Sequence, residues 1–562
     1  MPEIRSNTLI SAVLISLLYL TRPALALKSW YTEPGGVPAG STAGDKVRGV
    51  NLGGWFILEN WMMPSFFEED AVKDHYITDE WTYCSVLGED GCLTRLEKHW
   101  DSYITEDDFK RFANYSLNTV RIPMGYWSWT DPEEFEPYIQ GQLPYLERAL
   151  NWSSWYGLDV MVDLHGLPGG QNGQDNQGYK GPIEFQANST NLDRAMDALA
   201  NMTKFVTQDK FDGVVKSIEL TNEPYILEYN PNGMDFYVLA DYYVKGYQVV
   251  RANEHIIEGA NEVMVVIHDA FQPPSNWQYF WNEPTLGQNW TNYALDTHIY
   301  DAFGGADQKS YQEHLDTICG WSAELQEAQK HFPVIIGEFA LGTNTYCVDY
   351  QSCFGLTLDQ VISNITSSYE ANLFMRQFWE VQQNVYELGA GWIFWSVHHE
   401  LAGPWSWTQS AAQNWIPEDP TEKVWPFNPN ATSSCLDLSN PIQGDQNMPY
   451  FPSYANPYTN IDISTVTRKN FAEVRGSNST ATTNSTSTST STSGSGGNAT
   501  DTSTNSSAVA SQSGGTASNG ARTKFVPSLG LDFGFCAGAG VFGSSSSLVA
   551  AAMIGFMLSA LI

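Results

Sequence analysis

The chain has 562 residues, too many for one small domain, and 42% of them are hydrophobic, enough for a large core. Aromatic residues make up 13%, with 20 tryptophans, whose flat rings can stack on sugars as well as fill a core. Asp and Glu number 63 against 28 Lys and Arg, a formal net charge of −35. A surface that acidic repels the phosphates of nucleic acids and anionic lipids, whereas a neutral polysaccharide meets no such barrier.

In chain order, Arg5, the apolar run Leu9 to Leu20 and the small-residue site Ala24-Leu25-Ala26 predict a secretory signal over residues 1–26. The run is shorter than a membrane span needs, with an uncleaved anchor as the alternative to a removed signal. Secretion permits disulfides. Cys84 and Cys92, close together in a Gly- and Asp-containing loop, are expected to pair. Cys319, Cys347, Cys353 and Cys435 allow three pairings, among which spacing does not choose, and Cys536 is left over. Over 27–475, eight short apolar runs alternate with longer segments of helical length. The runs are Val47–Gly54, Leu117–Pro123, Leu158–Gly166, Val215–Pro224, Glu262–Ala270, Tyr293–Asp301, Phe332–Ala340 and Gly389–Val397. Helices are expected at Leu143–Gly157, Leu192–Asp209, Tyr237–Gly259, Tyr311–Lys330 and Tyr369–Leu388. Runs so rich in Val, Ile, Leu and Phe suit strands buried on both faces. Their repeated alternation with helices predicts an α/β fold, a (β/α)8 TIM barrel. A doubly wound open sheet is the rival, but its first turn carries no glycine fingerprint.

At 476–520 the composition turns to Ser, Thr, Asn and Gly, with acceptor sequons at Asn478, Asn484, Asn498 and Asn505. Such a stretch buries too little apolar surface to offset its chain entropy and is expected to form a glycosylated stalk. Fully extended, roughly 45 residues reach about 150 Å. Residues 521–562 end in the apolar run Leu548 to Ile562, which predicts a removable lipid-anchor signal rather than a permanent span.

Each apolar run ends in polar or aromatic groups: Asn51, Arg121, Asp163 with His165, Asn222 with Glu223, His268 with Asp269, His298 with Tyr300, Glu338, and Trp395 with His398. In a barrel these C-terminal strand ends converge on one mouth, where active sites form. Glu223 closes the fourth run and Glu338 the seventh. Glycoside cleavage needs a carboxylic acid to protonate the leaving oxygen and a carboxylate to meet the developing oxocarbenium. A salt bridge to Arg121 would explain either Glu alone; it does not explain the pair at these two strand ends. His398-His399-Glu400 has the wrong spacing for two metal ligands on one helix face, and no metal is assigned.

These stretches resemble glycoside hydrolase family 5 and, within it, the fungal exo-β-1,3-glucanase branch. The matching segments are Gly49 to Trp55, Val120-Arg121-Ile122-Pro123, Asp163-Leu164-His165-Gly166, Gln171 to Asn176, Asn222-Glu223-Pro224, His298 to Phe303, and Gly337-Glu338-Phe339, spanning most of 45–410. The resemblance implies a retaining hydrolase, with no cofactor, that releases glucose from β-1,3-glucan with Glu338 as nucleophile and Glu223 as acid/base. It implies that Asn222 bonds the sugar 2-hydroxyl and that Arg121 and Tyr300 hold Glu338 ionised. Glu223 would then keep a raised pKa beside that charge. Glu59, His165, Asp175, Asn176 and His298 would line the glucose pocket, with Trp395 as its floor. One position departs from the pattern: Gln174 stands where the branch usually carries an aromatic, so the clamp around the next sugar retains only Phe303. This puts linkage in question, and an endo-acting, β-1,6- or β-1,4-specific hydrolase or a glucosyltransferase remains open beside a non-catalytic glucan-binding protein. A monomer held at the cell surface or wall is expected, with β-glucan as partner, no nucleic acid, and membrane contact only through the lipid anchor.

Overall fold

The computed structural model describes residues 46–439, apart from 68–70, 73–74, 76, 212, 257–261, 304, 344–368, 401–402 and 432. The signal sequence, the stalk, the apolar tail and Cys347, Cys353 and Cys536 lie outside the described residues.

Eight parallel strands close into a barrel in sequence order: β1 (Val47–Asn51), β2 (Thr119–Gly125), β3 (Asp159–Gly166), β4 (Val215–Glu219), β5 (Met264–His268), β6 (Tyr293–His298), β7 (Val334–Phe339) and β8 (Gly391–Phe394). The ring shuts where Val47 of β1 pairs with Gly391 of β8, which excludes the open sheet. Seven of the strands lie within the runs expected for them; β2 starts inside its run and extends past Pro123 to Gly125.

Period-two alternation explains the interior. Val47, Met161, Met264, Val266, Ala294, Ile335 and Ile393 form a small apolar cluster of their own, the floor of the barrel. Two or four residues further along the same faces come Asn51, Asp163, His165, Asp296, His298 and His268. In β1, β3, β5 and β6 one face therefore passes from apolar floor to polar mouth. The other face, with Val50, Ile122, Val162, Ile218, Val265 and Phe394, packs in the large outer core with the helices.

The helices begin and end where local chemistry dictates. Leu143–Tyr156 stops at Gly157, whose φ of 71° suits a residue without Cβ. Ser189–Val206 and Phe236–Asn253 are capped by the side chains of Asn188 and Asp235. Two expectations need correction. Tyr311–Lys330 is two helices, Tyr311–Cys319 and Ser322–Ala328, interrupted at Gly320, a poor helix former. The Cys84–Cys92 segment is not a loop. It lies in the helical run Glu80–Ser102, which kinks at Gly88 with φ 67°. The Cys84–Cys92 disulfide itself is present, and a second joins Cys319 to Cys435. Among the described residues no helix is long and apolar enough to cross a membrane.

Candidate active site

Arg121, fully buried on β2, is the hub of the mouth. Its guanidinium meets Glu219 at 2.7 Å, Glu338 at 2.9 Å and Asp163 at 3.0 Å, and donates to Asn51 Oδ1 at 3.0 Å and Asn222 Oδ1 at 2.9 Å. Burial disfavours its charge, but Asp163, Glu219, Glu338 and Asp296 outweigh that and hold it well above its ordinary pKa.

Glu338, at the end of β7, accepts from Arg121 on Oε1 and from the Tyr300 hydroxyl on Oε2, each at 2.9 Å. Glu223 follows β4 and accepts from Asn176 Nδ2 at 3.3 Å, itself fixed by Asn172. Its backbone sits at φ 45°, an unusual conformation for a non-glycine residue that costs on the order of 1–3 kcal/mol. His298 stands between the two carboxylates. Its Nδ1 is 2.8 Å from Glu223 Oε1 and 3.3 Å from Glu338 Oε2, while Nε2 faces Asp296 at 3.3 Å. Both carboxylates reach one nitrogen. The facing oxygens, Glu223 Oε1 and Glu338 Oε2, are therefore no further apart than those two contacts laid end to end.

The electrostatics invert one expectation. Burial lowers the imidazolium's stability, yet Glu338, Asp296 and Glu223 more than reverse this and raise His298 well above its ordinary pKa. Burial raises Glu223, but the hydrogen bond and charge of His298 prevail and bring it to about 2. Glu338 is raised, chiefly by burial, against the pull of His298 and Arg121. The shift on Glu223 thus runs opposite to the expected one, because His298 stands beside it and favours its ionised form. The charges of the two carboxylates and Arg121 alone do not give this direction, because His298 stands between them.

The remaining expected residues gather at the same mouth. His165 hydrogen-bonds Asp163 through Nδ1 at 2.5 Å and lies 5.9 Å from the Trp395 ring in near-parallel orientation. Glu59, buried, accepts from Trp61 Nε1 at 3.1 Å, and burial foremost, then Asp175, raises it well above the ordinary range. Asp175, half-buried, is pushed up to about 6 by burial. Phe303 is half exposed and stands edge-on to Tyr300. Asn222 Nδ2 and His165 Nε2 are buried and have no partner among the described residues, so both are free to meet hydroxyls. His398 and Glu400 turn to different partners, Asp108 and Thr408 for one and Ser65 for the other.

Residues 84–399 match the model of the cellulase family, glycosyl hydrolase family 5. The chain belongs to this family and is a glycoside hydrolase. It is 35% identical over 407 residues to the probable glucan 1,3-beta-glucosidase A of Emericella nidulans, covering 69% of this chain and 93% of that one. It is 36% identical over 367 residues to glucan 1,3-beta-glucosidase 1 of Schizosaccharomyces pombe, covering 64% and 84%. Among solved structures, the rutinosidase from Aspergillus niger shares the fold, with a TM-score of 0.53 at 22% identity over 66% of this chain and 97% of that one.

Within this hydrolase, Glu219 and Asp296 also belong to the site, beyond the strand-end groups expected from sequence, and His268, one of those strand-end groups, packs against His298. Two three-residue groups, Glu223 with His268 and His298 and Glu219 with Asp296 and His298, are close enough to ligate an ion. In these groups the His298 nitrogens face the Glu223 and Asp296 carboxylates at 2.8 Å and 3.3 Å.

Proposed function

We propose that the chain releases glucose from β-1,3-glucan by double displacement, with Glu338 as nucleophile and Glu223 as acid/base. The observation that supports the mechanism is the single His298 nitrogen that lies 2.8 Å from one carboxylate and 3.3 Å from the other, an approach in keeping with the closer spacing of a retaining pair. The relatives' names support the linkage. A terminal glucosyl unit enters above Trp395, with Asn222 Nδ2 on its 2-hydroxyl. The proton on His298 Nδ1 passes to Glu223 across their 2.8 Å contact and then to the glycosidic oxygen. Glu338 attacks the anomeric carbon as that bond breaks, and the shortened glucan leaves carrying the proton. A water then gives its proton to Glu223 and its oxygen to the anomeric carbon, and Glu338 is released.

Following anomeric protons by NMR as the enzyme meets a short β-1,3-glucan tests this. β-Glucose first, one unit per cut, is the expected result; α-glucose first would remove Glu338 as nucleophile. Release from β-1,6- or β-1,4-glucan alone would keep the mechanism and move the linkage. The activity belongs, on this reading, outside the cell and at its surface, supported by the secretory run, the anchor-like tail and the two disulfides. Release of the enzyme from intact cells by a phosphatidylinositol-specific phospholipase is the expected sign of the anchor, and retention after that treatment counts against it.

A further inference from the structure

Glu223 lies beyond the reach of the sheet. β4 is in register with β3 and β5 only as far as Glu219, and the Leu220 N–H adds one more bond, to Val266 O. Three residues later the backbone of Glu223 takes a left-handed φ of 45°, which a non-glycine residue keeps only where its surroundings hold it. Asn176 and His298 hold its carboxylate. What holds its backbone comes from another strand.

In the loop after β3, Gly169 and Gly170 sit at φ 77° and 76° and turn the chain back on itself. Gln171 follows them and is completely buried. Its Oε1 accepts the Leu167 N–H at 3.0 Å, and its Nε2 donates to His165 O at 2.6 Å and to Asn222 O at 2.9 Å. Both hydrogens of the amide are thus in use. Its backbone carbonyl accepts the Tyr225 N–H at 3.0 Å. Gln171 therefore grips the chain on either side of Glu223, at 222 and at 225. The same amide ties that turn to His165, whose ring lies beside Trp395.

We propose, resting on the acid/base role assigned to Glu223, that Gln171 is its positioning residue. It is a strut between the loop after β3 and the turn after β4, and it sets where the Glu223 carboxyl meets the glycosidic oxygen. It touches neither substrate nor the reacting atoms. A displacement of about 1 Å at such a point can cost on the order of a hundredfold in rate.

The test compares kcat/KM on laminaribiose with kcat/KM on 2,4-dinitrophenyl β-glucoside. Both report the breaking of the glycosidic bond, but dinitrophenolate leaves as a stable anion and needs no acid. In Gln171→Met, which keeps the length of the side chain and loses its hydrogen bonds, the ratio of the two should fall about ten- to hundredfold. Gln171→Glu keeps the acceptor for Leu167 but sets oxygen against the two carbonyls, and should lower the ratio as well. Misfolded protein removes turnover on both substrates in proportion and leaves the ratio where it was. An unchanged ratio in either variant, or an equal loss on both substrates up to total loss, therefore makes Gln171 a packing residue and overturns the strut. Glu223→Gln measured alongside separates the two readings. If its ratio collapses while those of the Gln171 variants hold, the strut alone is overturned; if its own ratio holds, the acid role falls and the strut with it.

Discussion

Glu223 and Glu338 are identical side chains that differ only in what surrounds them. Glu338 is clasped by a permanent cation and a phenol; Glu223 answers to an imidazole that can give its proton away. Glu223→Gln should lower kcat/KM on β-glucan by about 10²–10⁴. On 2,4-dinitrophenyl β-glucoside, whose phenol departs without a proton, the same variant should give a burst of dinitrophenol and then slow turnover, since the second step still needs a base. Stopped-flow absorbance reads both phases, and an equal loss on the two substrates would take the acid role from Glu223. The shared proton also sets the alkaline limit. In the parent it is held by His298 well above 6.5, so activity should fade only as the imidazolium titrates. His298→Gln leaves carboxyls as the only holders, and the basic limb of the kcat/KM profile should move to lower pH. A limb that stays where it was would rule out His298 as the proton's store.

Strand alternation carries most of what the sequence discloses. The eight runs, their order and the polar groups at their ends were legible because parallel strands buried on both faces read as apolar stretches. Asp163 beside His165 and Asp296 beside His298 obey the same i, i+2 rule, and Glu219 lies on the inner face two residues before the turn toward Glu223. Period-two counting back from each strand end would have found them. Pairings across the barrel were not legible. Which carboxylates share His298 depends on β4, β6 and β7 meeting in space, and so does the reversal of the Glu223 shift. The bonds of Gln171 join two loops with no periodicity at all. Gly337 shows how tightly the strands are matched: a Cβ there would run into the Asp296 carboxylate, which accepts the Gly337 N–H at 2.6 Å and steadies His298. Gly337→Ala should cost about 1–3 kcal/mol of stability and depress kcat. Melting and kinetics together test this, and a variant with the parent's melting temperature and kcat would show the contact to be slack.

Across the whole molecule, buried acids set the dependence of stability on pH. Burial raises Glu80 to about 8, Asp269 to about 7 and Asp175 to about 6, so the folded chain binds protons that the unfolded chain, with carboxyls near 4.5 and 3.8, has already lost. Stability should therefore fall as pH rises from about 4.5 to about 8. Glu223 and Asp296 lie near 2 in the folded state, so stability should also fall as pH drops below about 4.5. Thermal melts at fixed ionic strength should peak at about pH 4–5, and Glu80→Gln should flatten the alkaline side. A melting temperature that climbs between pH 5 and 8 would contradict this account. The Arg121 hub has a consequence for descent. From β2 it ties β1, β3, β4 and β7 around one charge, so a lineage that discards it must dispose of three stranded acids at once. Glu223 stands outside that knot, with side-chain hydrogen bonds among the described residues to His298 and Asn176. Descendants that fall catalytically silent can therefore be expected to forfeit Glu223 first and to keep Arg121 as a relic of the lost chemistry.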